Sequence, residues 1–401
     1  MYRILTILWL LMLPGIISGQ QAYDCLLKAK AYIKSGNPDL AINLITEILP
    51  GNQGDSRLYI GRAEAKLAKG DYTGAILDFN TANKYVPNAG EYGLARIYSL
   101  KGDAATAVYH LERNLSSDLR RSEKDIMLDP SFSIIENKPE WRQLWKKEWY
   151  PLLERSILEI EYNLSRGSIE EARATMVELK ASYSGAEAIS YIEALISYSA
   201  KNYGEAVKIL SRLVTEDAVN ENYLRLYARA QTGNGNFTGA SELYSRLINM
   251  EVIDAGLLMS RAECYMKSGE TEKARTDVER YLEINPADKN AISMAGRLEA
   301  VLGDNLKAMT YFSKNIELHP DDPVAYIDRA NSYLRSKTWN WAINDYSMSL
   351  DLRPDNPEAW LSKGIALLNA GKPLDACHDF RRSLALGNKK AAEYINKNCI
   401  K

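Results

Sequence analysis

Three histidines and four cysteines are the side chains of this 401-residue chain best suited to acid–base, nucleophilic or metal chemistry, and their spacing works against all three. His110, His319 and His378 lie far apart along the chain, and no His-Glu-x-x-His or paired Cys/His spacing sets ligands on one helix face. Gly371-Lys372-Pro373 reads as a turn between helices rather than a phosphate loop, and no Gly-x-Ser-x-Gly elbow is present. Cys25 and Cys264 occupy positions expected to face a packed interior, where cysteine behaves as a small hydrophobe. Cys377 and Cys399 lie near each other at the C-terminal end, and two outcomes stay open for them: a disulfide in an oxidising compartment, or two separate packed thiols. Neither an enzyme nor a bound cofactor or metal is expected. Fifty basic and 52 acidic residues leave a formal net charge of −2, which offers nothing to a nucleic-acid backbone.

What positions the side chains is a repeat. Ala41, Ala75, Ala107, Ala172, Ala206, Ala240, Ala274, Ala308, Ala342 and Ala376 mark the chain, and the last seven are each 34 residues apart. A fixed period near that length is the signature of a stacked solenoid, in which one unit cannot bury its apolar face alone. Five residues before each alanine stands glycine, or lysine at Lys201 and Lys337, which suits the residue that ends a helix. Four residues after it stands an apolar or aromatic residue such as Phe79, Phe312, Tyr346 or Phe380, on the same helix face. Twelve residues before it another small residue recurs in nine of ten units, with Ile160 the exception. Paired small residues let facing helices approach closely.

These features resemble the tetratricopeptide repeat. Trp360…Gly364…Ala376…Phe380 and Tyr326…Ala330…Tyr333…Ala342…Tyr346…Pro354 follow that family's pattern, and the resemblance covers residues 22–121 and 153–390. It implies an all-α fold, a right-handed α-solenoid of about ten helix-turn-helix repeats. It also implies that the first helices line a concave groove that binds protein or peptide segments. In the family, the second, fifth, ninth and twelfth residues of a unit face that groove. Carried onto this chain, the face holds Tyr191, Tyr198, Arg225, Arg229, Met259, Met266, Arg297 and Asn331. Methionine adapts, tyrosine anchors and arginine grips carboxylates. Arg229, Glu263 and Arg297 also alternate in sign, so a purely structural ladder among them competes with the binding reading. The Lys/Asn carboxylate clamp of some family members is not matched.

Residues 122–152 fit no repeat. Trp141, Trp145 and Trp149 fall at helical spacing, so one Trp-striped helix is expected there, capping three N-terminal repeats (20–121) or offering a docking patch. Seven repeats follow (153–390), then a cap helix (391–401). Residues 1–19 read as a signal peptide: Arg3, an apolar run, then Ser18-Gly19, with no further hydrophobic span in the mature chain. The expectation is an exported scaffold of a bacterial periplasm or cell envelope, in association with an envelope or outer-membrane complex. The end of the leader has a Bacteroidetes-like look. A holdase-type chaperone is the alternative, in a periplasm or an endoplasmic-reticulum lumen. A glycan-binding envelope protein is the second, weakened by the missing lipid-attachment box and sugar-binding insertions.

Overall fold

A computed structural model describes residues 13–183 and 185–399, with side chains from residue 20. Most of the expected signal peptide lies outside the described residues. The fold is an all-α repeat solenoid, and among the described residues there is no strand. The chain divides into two compact units, one ending at Asp254 and one beginning at Ala255.

The first unit opens with three helix pairs: α1 (Leu13–Lys34) with α2 (Pro38–Ile48), α3 (Ser56–Lys69) with α4 (Tyr72–Tyr85), and α5 (Glu91–Leu100) with α6 (Ala104–Leu115). Two short helices follow, α7 (Glu123–Met127) and α8 (Pro139–Leu144). Three more pairs complete it: α9 (Leu152–Ser165) with α10 (Ile169–Ser182), α11 (Glu187–Ser199) with α12 (Tyr203–Glu216), and α13 (Glu221–Gly233) with α14 (Phe237–Asn249). The second unit holds four pairs: α15 (Gly256–Ser268) with α16 (Thr271–Ile284), α17 (Lys289–Leu302) with α18 (Asn305–Leu318), α19 (Pro323–Arg335) with α20 (Trp339–Leu352), and α21 (Pro357–Asn369) with α22 (Pro373–Ala385). The helix α23 (Ala391–Asn398) closes it.

Each pair turns the same way for the same reason. The residue five before the marker alanine takes a left-handed conformation in all ten pairs, at φ between 60° and 90°, including the two lysines. In four pairs an Asp or Asn follows directly and caps the second helix. Asp71, Asp103, Asn236 and Asp304 accept the amides of Gly74, Thr106, Gly239 and Lys307 at 2.9–3.1 Å. Such a cap stabilises a helix by about 1 kcal/mol. All ten marker alanines are 0 % exposed. Where the facing small residue is glycine, a phenylalanine fills the space: a Cβ on Gly296 would lie 2.3 Å from the Phe312 ring, and on Gly364 2.5 Å from Phe380.

Four pairs add a buried ion pair with partners 16 residues apart, at one and the same repeat position. Arg62 meets Asp78 at 2.7 Å, Arg261 meets Asp277 at 2.6 Å, Arg329 meets Asp345 at 2.7 Å, and Lys363 meets Asp379 at 3.3 Å. Asp78, Asp277, Asp345 and Asp379 are buried. Cys377 and Cys399 form a disulfide, with Cα atoms 5.6 Å apart, that ties α22 to the residue after α23. Cys25 and Cys264 are buried free thiols.

The single Trp-striped helix is corrected. α8 stops at Leu144, so Trp145 is its cap residue and Trp149 lies beyond it. The Trp149 indole N–H donates to the Leu144 carbonyl at 2.9 Å, taking the acceptor that a further helical turn would use, and Pro151 then favours extended backbone before it. All three tryptophans still pack in one cluster, where Ile126, Phe132, Ile135 and Leu144 are buried against Ala107 and Leu111 of α6.

The two ends of the first unit also meet. The Tyr23 hydroxyl donates to the Val252 carbonyl at 3.0 Å and Lys30 to the Ile253 carbonyl at 2.9 Å. Arg57 pairs with Glu251 at 2.6 Å, and Ile253 packs on the α1–α3 core.

Candidate functional site

Three successive first helices, α9, α11 and α13, line an open groove in the first unit. Two adjoining cavities of about 550 and 440 Å³ share Glu161, Tyr191 and Asn222. The lining obeys the repeat register. Second positions supply Glu154, Ala188 and Asn222; fifth positions supply Ile157, Tyr191 and Arg225. Ninth positions supply Glu161, Leu195 and Arg229, and twelfth positions Leu164 and Tyr198. Four of the eight sequence-expected residues, Tyr191, Tyr198, Arg225 and Arg229, are thus brought together.

The groove is electrically graded. At the α9 end, Asp125, Glu154 and Glu161 outnumber Lys124. Glu154 is tied to Arg120 at 2.6 Å, whereas Glu161 makes no ion pair or hydrogen bond among the described residues. Burial pushes the Glu161 carboxyl above its ordinary range, against the pull of Lys124. Tyr191 rises to about 12, through burial first and then the nearby Glu161 and Tyr223. At the α13 end, Arg225 is already held by Glu221 at 2.7 Å and Asp254 at 2.8 Å. The Arg229 guanidinium lies 4.9 Å above the Tyr198 ring, is exposed, and has no ion-pair partner among the described residues. The Tyr191 and Tyr223 rings sit 5.3 Å apart and form an apolar floor between the two ends.

The other four expected residues belong to the second unit and have work in the fold. Met259 and Met266 are partly buried against Ala262, Ala274 and Leu298. Arg297 pairs with Asp328 at 2.8 Å rather than with Glu263, and Ser293 donates to the same carboxylate. Asn331 accepts from the buried Tyr346 hydroxyl at 2.6 Å. Among the groove residues that the sequence reading passed over, Glu161 is the half-buried carboxylate. It stands at the ninth position of the unit whose small residue is Ile160, and extending the same offset one unit upstream would have found it.

The tetratricopeptide-repeat family model matches residues 26–89 and 227–289. A solved tetratricopeptide repeat protein from Parabacteroides merdae shares 19 % identity, over 61 % of this chain and 97 % of that one, at a TM-score of 0.50, which supports the shared fold. Lower similarity is found to the Cut9–Hcn1 hetero-tetramer of the APC/C, at 13 % identity over 93 % of this chain and 89 % of that one (TM-score 0.46). YrrB, a repeat protein with an unusual peptide-binding site, gives 13 % identity over 48 % of this chain and all of that one (TM-score 0.37). No curated protein matches the chain. At the residues that the family model matches, the chain carries tetratricopeptide repeats, and proteins of that class bind protein or peptide partners. Among the described residues no helix is long and apolar enough to cross a membrane.

Proposed function

We propose that the chain is an extracytoplasmic scaffold that captures a peptide segment of a partner protein in the α9–α11–α13 groove. The observation that supports this is the register: four residues of the family's binding face, carried over by sequence spacing alone, line the open groove of the first unit. Its floor is aromatic, and tyrosine gives large contact area at low entropy cost. Residues 122–152 act as a plug on the third pair, and the scaffold works in association with a cell-envelope complex. Two features support export: the short apolar N-terminal run, and the Cys377–Cys399 disulfide, which persists in oxidising compartments.

The binding reading is tested by selecting peptides from a random dodecapeptide display library on the full chain and measuring the survivors by fluorescence anisotropy. Tyr198→Ala with Arg229→Ala should weaken binding at least tenfold, about 1.4 kcal/mol, with circular dichroism unchanged. Survivors indifferent to both substitutions would remove the groove from the mechanism. Suppression of client aggregation without any sequence selection would favour the holdase. Amino-terminal sequencing of protein from the native host, starting near Gln20, checks export.

A further inference from the structure

The ninth-position row of the groove runs Glu161, Leu195, Arg229: an acidic end, an apolar middle and a basic end. Each end is completed differently. Asp125 joins Glu161 in the same cavity, with Lys124 the one basic residue there. Arg225 lies near Arg229, but Glu221 and Asp254 occupy its guanidinium, so Arg229 is the cation left open to a ligand. A half-buried carboxylate without an ion pair costs stability, and Glu161, in the same groove as the open Arg229 and the tyrosines, is placed to gain one from a ligand. The spacing sets the ligand's length. Glu161 and Arg229 sit two helices apart, so at helix spacings of about 8–10 Å the two ends are roughly 20 Å apart, the reach of about six extended residues.

The geometry points to a dipolar peptide ligand: a lysine or arginine side chain seated by Glu161 and Asp125, and an acidic side chain or terminal carboxylate about six residues away at Arg229. This rests on the groove being the peptide site, and it adds which peptides enter and which way round they lie. Burial of Glu161, which holds its carboxyl above the usual range, fits a group waiting for a cation.

The same dodecapeptide selection on the full chain tests it. Survivors that need Tyr198 should share a basic and an acidic residue five to seven positions apart. Changing the peptide's basic residue to glutamine should weaken binding about tenfold on the wild-type protein and have little effect on Glu161→Gln. Glu161→Lys should shift selection at that end to aspartate or glutamate. Glu161→Gln should melt at or above the wild type at neutral pH, since a residue holding the fold together would lower it. Peptides that need Tyr198 yet show no charge pattern, or that bind Glu161→Gln as tightly as wild type, overturn the dipolar ligand while leaving the groove standing. An absence of any Tyr198-dependent peptide overturns both.

Discussion

In the second unit three of the four helix pairs lock a basic residue onto a buried aspartate 16 positions on, and Arg297 is bound to Asp328 between pairs. In the first unit one pair of six does so, through Arg62 and Asp78. There, the charges at the groove's ninth positions, Glu161 and Arg229, are left without ion partners among the described residues. One helix-turn-helix template therefore carries charge for two purposes. Where carboxylate and guanidinium meet inside a pair they stabilise that pair, and nothing is left to offer a ligand. Where an open charge lines a groove it contributes little to the fold, and it is left available to the ligand proposed above.

The comparison breaks if charges in the two places cost the same to remove. Asp345→Ala strands the bidentate Arg329 guanidinium, which donates at 2.7 and 2.9 Å, and should destabilise the second unit by about 3 kcal/mol or more in denaturant unfolding. Arg229→Ala should leave the unfolding midpoint within ~0.5 kcal/mol; a loss near that of Asp345→Ala would assign Arg229 to the fold. Reducing the Cys377–Cys399 bond opens a loop of 22 residues and should cost the second unit about 3 kcal/mol on the loop-entropy account. A midpoint unmoved by reductant would mean that packing alone holds α23.

Smaller effects sharpen the contrast. Glu161 has a folded pKa raised above the ordinary 4.5, so the folded state holds its proton more tightly than the unfolded chain. Its destabilising effect is absent below that value and grows as pH rises through the folded pKa. Glu161→Gln should therefore raise the melting temperature at pH 7, and the gain should vanish as the solution is acidified below about 4.5. A gain that persists in acid would point to packing instead of charge. The smallest change concerns one lysine in each unit. Lys201 and Lys337 both sit at φ 60°, where glycine carries no Cβ penalty. Lys201→Gly and Lys337→Gly should each stabilise by a few tenths to ~1 kcal/mol, equally in the two units, since the turn is local and the contrast between the units is one of charge.

The fold was legible because the repeat is short-range. Alanine at a close helix contact, glycine or lysine at a left-handed turn, and a large residue one turn on are all local requirements, and all ten units meet them. Part of the groove was legible for the same reason, since Tyr191, Tyr198, Arg225 and Arg229, four of the eight expected residues, follow from an offset within a unit. The rest depended on partners that spacing cannot reveal. Arg225 and Arg297 look alike in sequence to Arg229, but Asp254 and Asp328 engage them from other helices or loops. The Trp spacing suggested a longer helix, and one indole N–H reaching the Leu144 carbonyl ended it. The recurring 16-residue charge pair was visible in principle at Arg62/Asp78, Arg261/Asp277 and Arg329/Asp345, but reads as ordinary surface charge until the helices are closed on each other.

The contact between Tyr23 and Val252 bears on time as well as place. Repeats that touch only their neighbours fold as they emerge, each waiting on the next pair alone. Tyr23 waits for a residue 229 positions downstream, and at about 5–20 residues per second that gap lasts on the order of ten to fifty seconds of synthesis. Through that interval α1 has its α2 and α3 neighbours but not its distant one. Its helix is thus among the first of the unit to be made, yet its contacts with Val252 and Ile253 wait until almost the whole unit has been synthesised.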